Sequence, residues 1–277
     1  MGLTQNTVTT IYEYLYGLGR LIGTKQRPAV TSNIALDISR GKIEGAFSFS
    51  SYGKRTTSGA ESGVIWANGA WLAPPAVGVR LSIVSTSASD GVGGTGIRSL
   101  EIHYLDANLY LQHETIVLNG VTPVLTVATN IRFIQCGRMI TYGTGKAAAG
   151  IITFKDSITA QTYNQISVGE NRCSSSARMV PKSKRLVITG LVGSSISGSA
   201  QTSALLSIAT SNFEGHDLSA DSVLTPLATI GVQDGSQAMT METPLIFTEG
   251  AIIAMTYSVD KAAIVTGTYF GWLENNV

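Results

Sequence analysis

From about residue 60 onward, apolar and polar residues alternate in short runs broken by turn formers, a rhythm that suits little besides paired strands. Leu100, Ile102 and Tyr104 alternate with Ser99, Glu101 and His103, and Asp106-Ala107-Asn108 then supplies a turn. Glu114, Ile116 and Leu118 alternate with Thr115 and Val117, and Asn119-Gly120 is a strong turn dipeptide. Further strands are expected at residues 80–84, 124–128, 131–136, 139–142, 150–154 and 158–163. A second run is expected at 177–180, 185–191, 204–210, 238–242, 251–257 and 265–273. Polar residues near 169–174 interrupt the rhythm. The expected fold is all-β, with two jelly-roll-like β-sandwich domains in series at 36–170 and 171–277, preceded by an arm at 1–35.

The arm differs from the rest. Ile11, Leu15, Leu18 and Ile22 fall at helical spacing with Tyr12 and Tyr16 beside them, whereas Gly17, Gly19 and Gly23 each cost a helix about 1 kcal/mol relative to Ala. Three readings stand: a segment packing on a neighbouring subunit through Ile11, Tyr12, Leu15, Tyr16 and Leu18, a local helix, or a cap on its own domain. The first 23 residues carry no basic n-region and no unbroken apolar stretch, so a signal peptide is not expected and synthesis is expected in the cytosol.

Charge narrows the partners. Among 277 residues, 13% are charged, about half the usual share, and the net charge is +1. No basic run offers a nucleic-acid footprint, and no eighteen-residue apolar run offers a membrane span. Neither partner is expected. So few charges hint instead at neighbours covering part of the surface. The two cysteines, Cys136 and Cys173, lack zinc-site spacing and read as buried thiols, with a single bridge as the alternative.

Several motifs suggest chemistry. Gly91-x-Gly93-x-x-Gly96 has the spacing of a dinucleotide loop, but that loop needs a helix after it to supply amides and dipole. Residues 97–105 read as strand, so the glycines are expected to serve a connection between strands. Gly143-Thr144-Gly145-Lys146 lacks the P-loop glycine at 140 and the hydroxyl residue at 147. The histidines are His103, His113 and His216. The first two can approach across the 106–108 turn with Glu101 or Glu114 nearby, and a polar outward hairpin face explains both better than a metal site. Glu61, Asp90, Asp106 and Asp234 sit beside turn formers, where a carboxylate is structurally useful. A calcium site at Asp90 would have only one local carboxylate. No nucleophile elbow or facing carboxylate pair appears, so neither an enzyme nor a cofactor is expected. Trp66 and Trp71 flank a short turn, either as a core anchor or as a stacking pair for a sugar ring. Trp272 is expected in the core.

An ordered series of short motifs resembles a family of tailed-bacteriophage virion proteins common in aquatic phages. It runs through Ile38-Ser39-Arg40-Gly41-Lys42-Ile43-Glu44-Gly45, Tyr52-Gly53-Lys54 and Val64-Ile65-Trp66. It continues in residues 85–88, Asp90, Gly94-Thr95-Gly96, Leu105-Asp106, Glu114-Thr115 and Leu118-Asn119-Gly120, and in residues 181–184 with the strand after them. The resemblance covers residue 36 to the end and is strongest in 85–122. It implies a non-enzymatic, homo-oligomeric part of a phage particle: a capsid or collar decoration protein, or alternatively a tail fibre adaptor or receptor- and glycan-binding module. It brings no catalytic residue, and the arm lies outside it.

Overall fold

The computed structural model describes residues 34–72, 75–198, 202–213, 216–217 and 224–276. Residues up to Glu44 form one unit and Gly45–Val277 another. In the first, the short helix α1 (Ile34–Ser39) ends at Gly41, whose φ of +69° suits glycine, and Lys42 pairs with Asp37 at 3.3 Å. Ile11, Tyr12, Leu15, Tyr16 and Leu18, proposed as an assembly arm, lie outside the described residues.

The second unit is all-β, as the alternation requires. Its strands are β1 (Phe47–Thr56), β2 (Glu61–Val64), β3 (Leu81–Ser85), β4 (Ile97–Asp106), β5 (Leu111–Val117) and β6 (Val124–Leu125). Next come β7 (Ile131–Tyr142), β8 (Ile152–Asp156), β9 (Thr162–Ile166), β10 (Arg178–Met179), β11 (Lys184–Ile196) and β12 (Ser203–Thr210). The last are β13 (Asn212–Phe213), β14 (His216–Asp217), β15 (Thr225–Gln233), β16 (Gly235–Phe247), β17 (Ile252–Val259) and β18 (Ile264–Asn275).

Two sandwiches result. One pairs a sheet of order β1-β18-β11-β16 with a sheet running through β17-β12-β15. Both β2 and β10 pair antiparallel with β17, β2 against residues 256–259 and β10 against 252–253. The opposite edge of β17 is taken by β12, so β2 and β10 lie end to end and act as one strand. Counted so, eight strands form two four-stranded sheets in the connectivity of a jelly roll, with β12 and β15 as paired neighbours in one of them. Its core joins Leu186, Ile188, Leu191, Val265 and Tyr269 to Leu206, Ile208, Ile253 and Met255. The other sandwich packs sheet β6-β3-β8-β9 against sheet β5-β4-β7 around Leu81, Ile83, Leu100, Ile102, Ile152 and Phe154.

The chain therefore groups differently from the expected series of 36–170 and 171–277. β1 pairs along its whole length with β18, more than two hundred residues away, and β2 with β17. Residues 47–64 thus belong to the C-terminal jelly roll, and the second sandwich is an insertion inside one of its strands. The polar break near 169–174 is where the chain leaves the insert. The pairing is non-local, and alternation within one segment carries no information about a distant partner. Smaller differences are local. Residues 131–142 form one strand, and Ile158, expected in a strand, is 91% exposed in the Asp156 turn. No helix among the described residues is long and apolar enough to cross a membrane.

Candidate functional site

The seam between jelly roll and insert is held by a knot of hydrogen bonds. Its centre is Ser176. The Ser176 amide donates to Ile65 O at 3.0 Å, its hydroxyl donates to Met255 O and accepts from Met255 N, both at 3.1 Å, and its carbonyl accepts from Ser51 Oγ and Tyr269 Oη. Gly53 lies against this knot: a Cβ there would collide with Ile65 O and the Ser176 amide. The two chain crossings into the insert are thus fixed side by side. A small apolar cluster closes the seam, with Leu105 and Phe133 of the insert against Ala177, Met179, Ile252 and Ala254.

Trp71 packs on this cluster, its ring 6.3 Å from that of Phe133. Trp66 is 1% exposed and donates Nε1–H to Gly69 O at 2.7 Å, so it has no face to offer a sugar. The pair reads as an anchor of the insert. Trp272, expected in the core, is half-buried on the outer side of β18 and donates to Glu274 Oε2 at 2.8 Å. Strand alternation explains this, because Tyr269 and Leu273 take the inward positions.

The glycine-rich loop connects β3 to β4, with no helix after it. Its occupant is the chain's own carboxylate. Asp90 is fully buried; Oδ1 accepts from the Ile97 amide at 2.8 Å and the Ala149 amide at 3.0 Å, and Oδ2 from Ser85 Oγ at 2.6 Å and the Gly150 amide at 2.8 Å. Two donors on each oxygen fill the carboxylate's lone-pair directions. Gly96 is required because a Cβ would fall on Asp90 Oδ1, and Gly93 adopts φ +80°.

The histidine pair forms as the turn geometry suggests. His103 and His113 are direct partners across β4 and β5, their rings 6.0 Å apart and stacked. Glu101 on the same face contacts His103 at 2.6 Å and Arg138 at 2.7 Å, and these contacts, Arg138 foremost, hold its carboxyl below the usual range. Among the described residues no group of three or more His, Cys, Asp and Glu converges as metal ligands would. The side chain of His216 lies outside the described residues. Cys173 is buried, which pushes its thiol pKa up, Cys136 is half-buried, and both are free thiols.

Glu61 shows another carboxylate committed to structure. Its Oε1 accepts from Arg55 Nε at 2.9 Å and from the Tyr257 hydroxyl, tying β2 to β1 and β17. The Arg55 hydrogen bond, then that of Tyr257, hold the Glu61 carboxyl below its ordinary pKa, while burial first and Glu61 second push the Tyr257 phenol up to about 12. A lowered folded-state pKa contributes stability above the unfolded value that is lost as pH falls through the folded one. Glu61→Gln is therefore expected to lower the melting temperature at neutral pH and to narrow its gap from wild type as pH drops below about 4. Parallel melting curves from pH 3 to 7 check this; a gap constant with pH would remove Glu61 from the acid limb.

No protein-family model matches the chain, and no curated protein matches it. Among solved structures it is similar to a chain described as "Structure of infectious bursal disease virus Gt strain", at 12% identity over 84% of this chain and 75% of that one. The TM-score is 0.13, at which the likeness carries no argument.

Proposed function

We propose that this chain is a non-enzymatic structural component of a tailed-bacteriophage particle, carried as a homo-oligomeric decoration protein on the capsid or collar. The observation behind it is the outer face of sheet β1-β18-β11-β16. There the register sets Val187 between Trp272 and exposed Ile246, Val192 beside Ala238, and Ile196 beside Ile264. Hydroxyl side chains fill much of the rest, Ser194 against Thr266 at 2.7 Å, and charge is sparse: Lys54, Glu242 and the Arg185–Glu274 pair. A sheet face with exposed Val192, Ile196, Ile246 and Ile264 and so few charges suits a surface covered by other subunits. Stable contacts of that sort bury on the order of 1,200–2,000 Å² with an apolar centre. The family resemblance supports the same reading, as does the engagement of Glu61, Asp90 and Glu101 in structural contacts.

The same architecture would serve as a tail fibre adaptor or receptor-binding module, and copy number separates the two. Quantitative mass spectrometry of purified particles is expected to show this chain at a number comparable to the major capsid protein. A small number would move it off the capsid, to the collar or the tail, and absence from particles would overturn both readings.

A further inference from the structure

Where the insert leaves and re-enters the jelly roll, a cleft of about 270 Å³ is lined by Tyr52, Lys146, Gly169, Glu170, Asn171 and Arg172. A smaller one of about 130 Å³ adjoins it through Glu170 and Ser174, with Lys54 on its wall. Three cations, Lys54, Lys146 and Arg172, thus face one carboxylate. That carboxylate is engaged on both oxygens, Oε1 with Lys54 Nζ at 3.1 Å and Oε2 with the Ser174 hydroxyl. Among the described residues neither Lys146 nor Arg172 has a carboxylate within 4 Å.

Arg172 is also preorganised. Its guanidinium carbon sits 5.6 Å above the Tyr52 ring, which lies on β1 of the jelly roll. The contact with the ring restrains the side chain, and a guanidinium so placed still has N–H groups for a bidentate acceptor. Lys146 is presented from a turn in which it holds a left-handed φ of +57°, uncommon for a side-chain-bearing residue, with its amide on Gly143 O at 3.2 Å.

We propose that this cleft binds the carboxylate of an acidic sugar residue. The planar fork of Arg172 matches a carboxylate, Lys146 adds the second charge, and Asn171 and Glu170 offer a donor and an acceptor for ring hydroxyls. The volume is that of a small site, with room for one ring. Glu170 beside the cations opposes a compact dianion and accepts from a hydroxyl, which sets the sugar acid apart from phosphate. The site is independent of whether the chain sits on the capsid or the tail.

The test is an amide-resolved NMR titration of the full chain with D-glucuronate, D-glucose and inorganic phosphate. Glucuronate is expected to shift the amides of residues 146–147 and 169–172 and to bind more tightly than glucose or phosphate. Arg172→Ala is expected to weaken it at least about tenfold, as loss of a charge-assisted bidentate contact does. Arg172→Lys should recover only part, because it keeps the charge and loses the fork. Lys155→Ala, on β8, should change nothing. Glucose or phosphate binding as tightly as glucuronate would overturn the proposal, and so would unchanged affinity in a folded Arg172→Ala chain.

Discussion

Asp90→Ala is expected to destabilise the inserted sandwich by about 3–5 kcal/mol, among the largest effects of any single substitution in the chain. The truncation leaves the amides of Ile97, Ala149 and Gly150 and the Ser85 hydroxyl without their acceptor in a site closed to water. It also loosens the join between two loops, because the carboxylate ties the start of β4 to the residues before β8, leaving backbone bonds such as Gly143 N to Gly96 O and Thr86 N to Ile151 O to hold them. Asp90→Asn keeps the size but turns one oxygen into a donor facing N–H groups, so it should lie between alanine and wild type. Urea unfolding followed by circular dichroism, with hydrogen exchange on the insert's amides, reads the effect. The insert should lose protection while the jelly roll keeps it. An unchanged midpoint would show that the buried carboxylate is dispensable.

The second large effect is one of tolerance. Replacing residues 68–173 with two or three glycines removes the whole insert, yet the jelly roll is expected to remain folded and cooperative. Its strand ends already touch, with Ser176 N 3.0 Å from Ile65 O, so the new connection has hairpin length. The loss should be confined to the seam, where Ala177, Met179, Ile252 and Ala254 lose Leu105, Phe133 and Trp71, at about 2–5 kcal/mol. A fragment of residues 36–170 should fare worse, since β1 and β2 would have no β18 or β17 to pair with. Thermal unfolding of both proteins decides the matter. A molten excised protein would mean that the insert is needed to hold the split strand together.

Much of the fold was legible in the residues. Alternation at Leu100, Ile102 and Tyr104 placed β4 and its inward face, and the turn at 106–108 set His103 opposite His113. The strand after Gly96 excluded a phosphate loop. β1 is not among the expected strands: Phe47 and Phe49 alternate with Ser48 and Ser50, but Ser51 and Gly53 interrupt the apolar pattern, and its hydrogen bonds run to the far end of the chain. The roles of Asp90 and Ser176 rest on equally distant partners: the Ala149 and Gly150 amides lie 59 and 60 residues from Asp90, and Met255 and Ser51 lie 79 and 125 from Ser176. The candidate cleft was equally invisible: Tyr52, Lys146 and Arg172 belong to three separate stretches, and Lys146 stood out only as part of a failed P-loop.

By itself the sequence determined that this chain is made of strands, because side chains alternating at period two and turn residues between them are local properties of the backbone. Its apolar content, 44% of residues, also allows a sizeable core. Which strands share a core was decided only by the tertiary structure. Pairing is a contest among all edges of compatible length and pattern, and it is settled by packing at once across both sheets. That contest placed β1 beside β18, split one strand of the jelly roll around a second sandwich, and brought the cations of the cleft together at the seam.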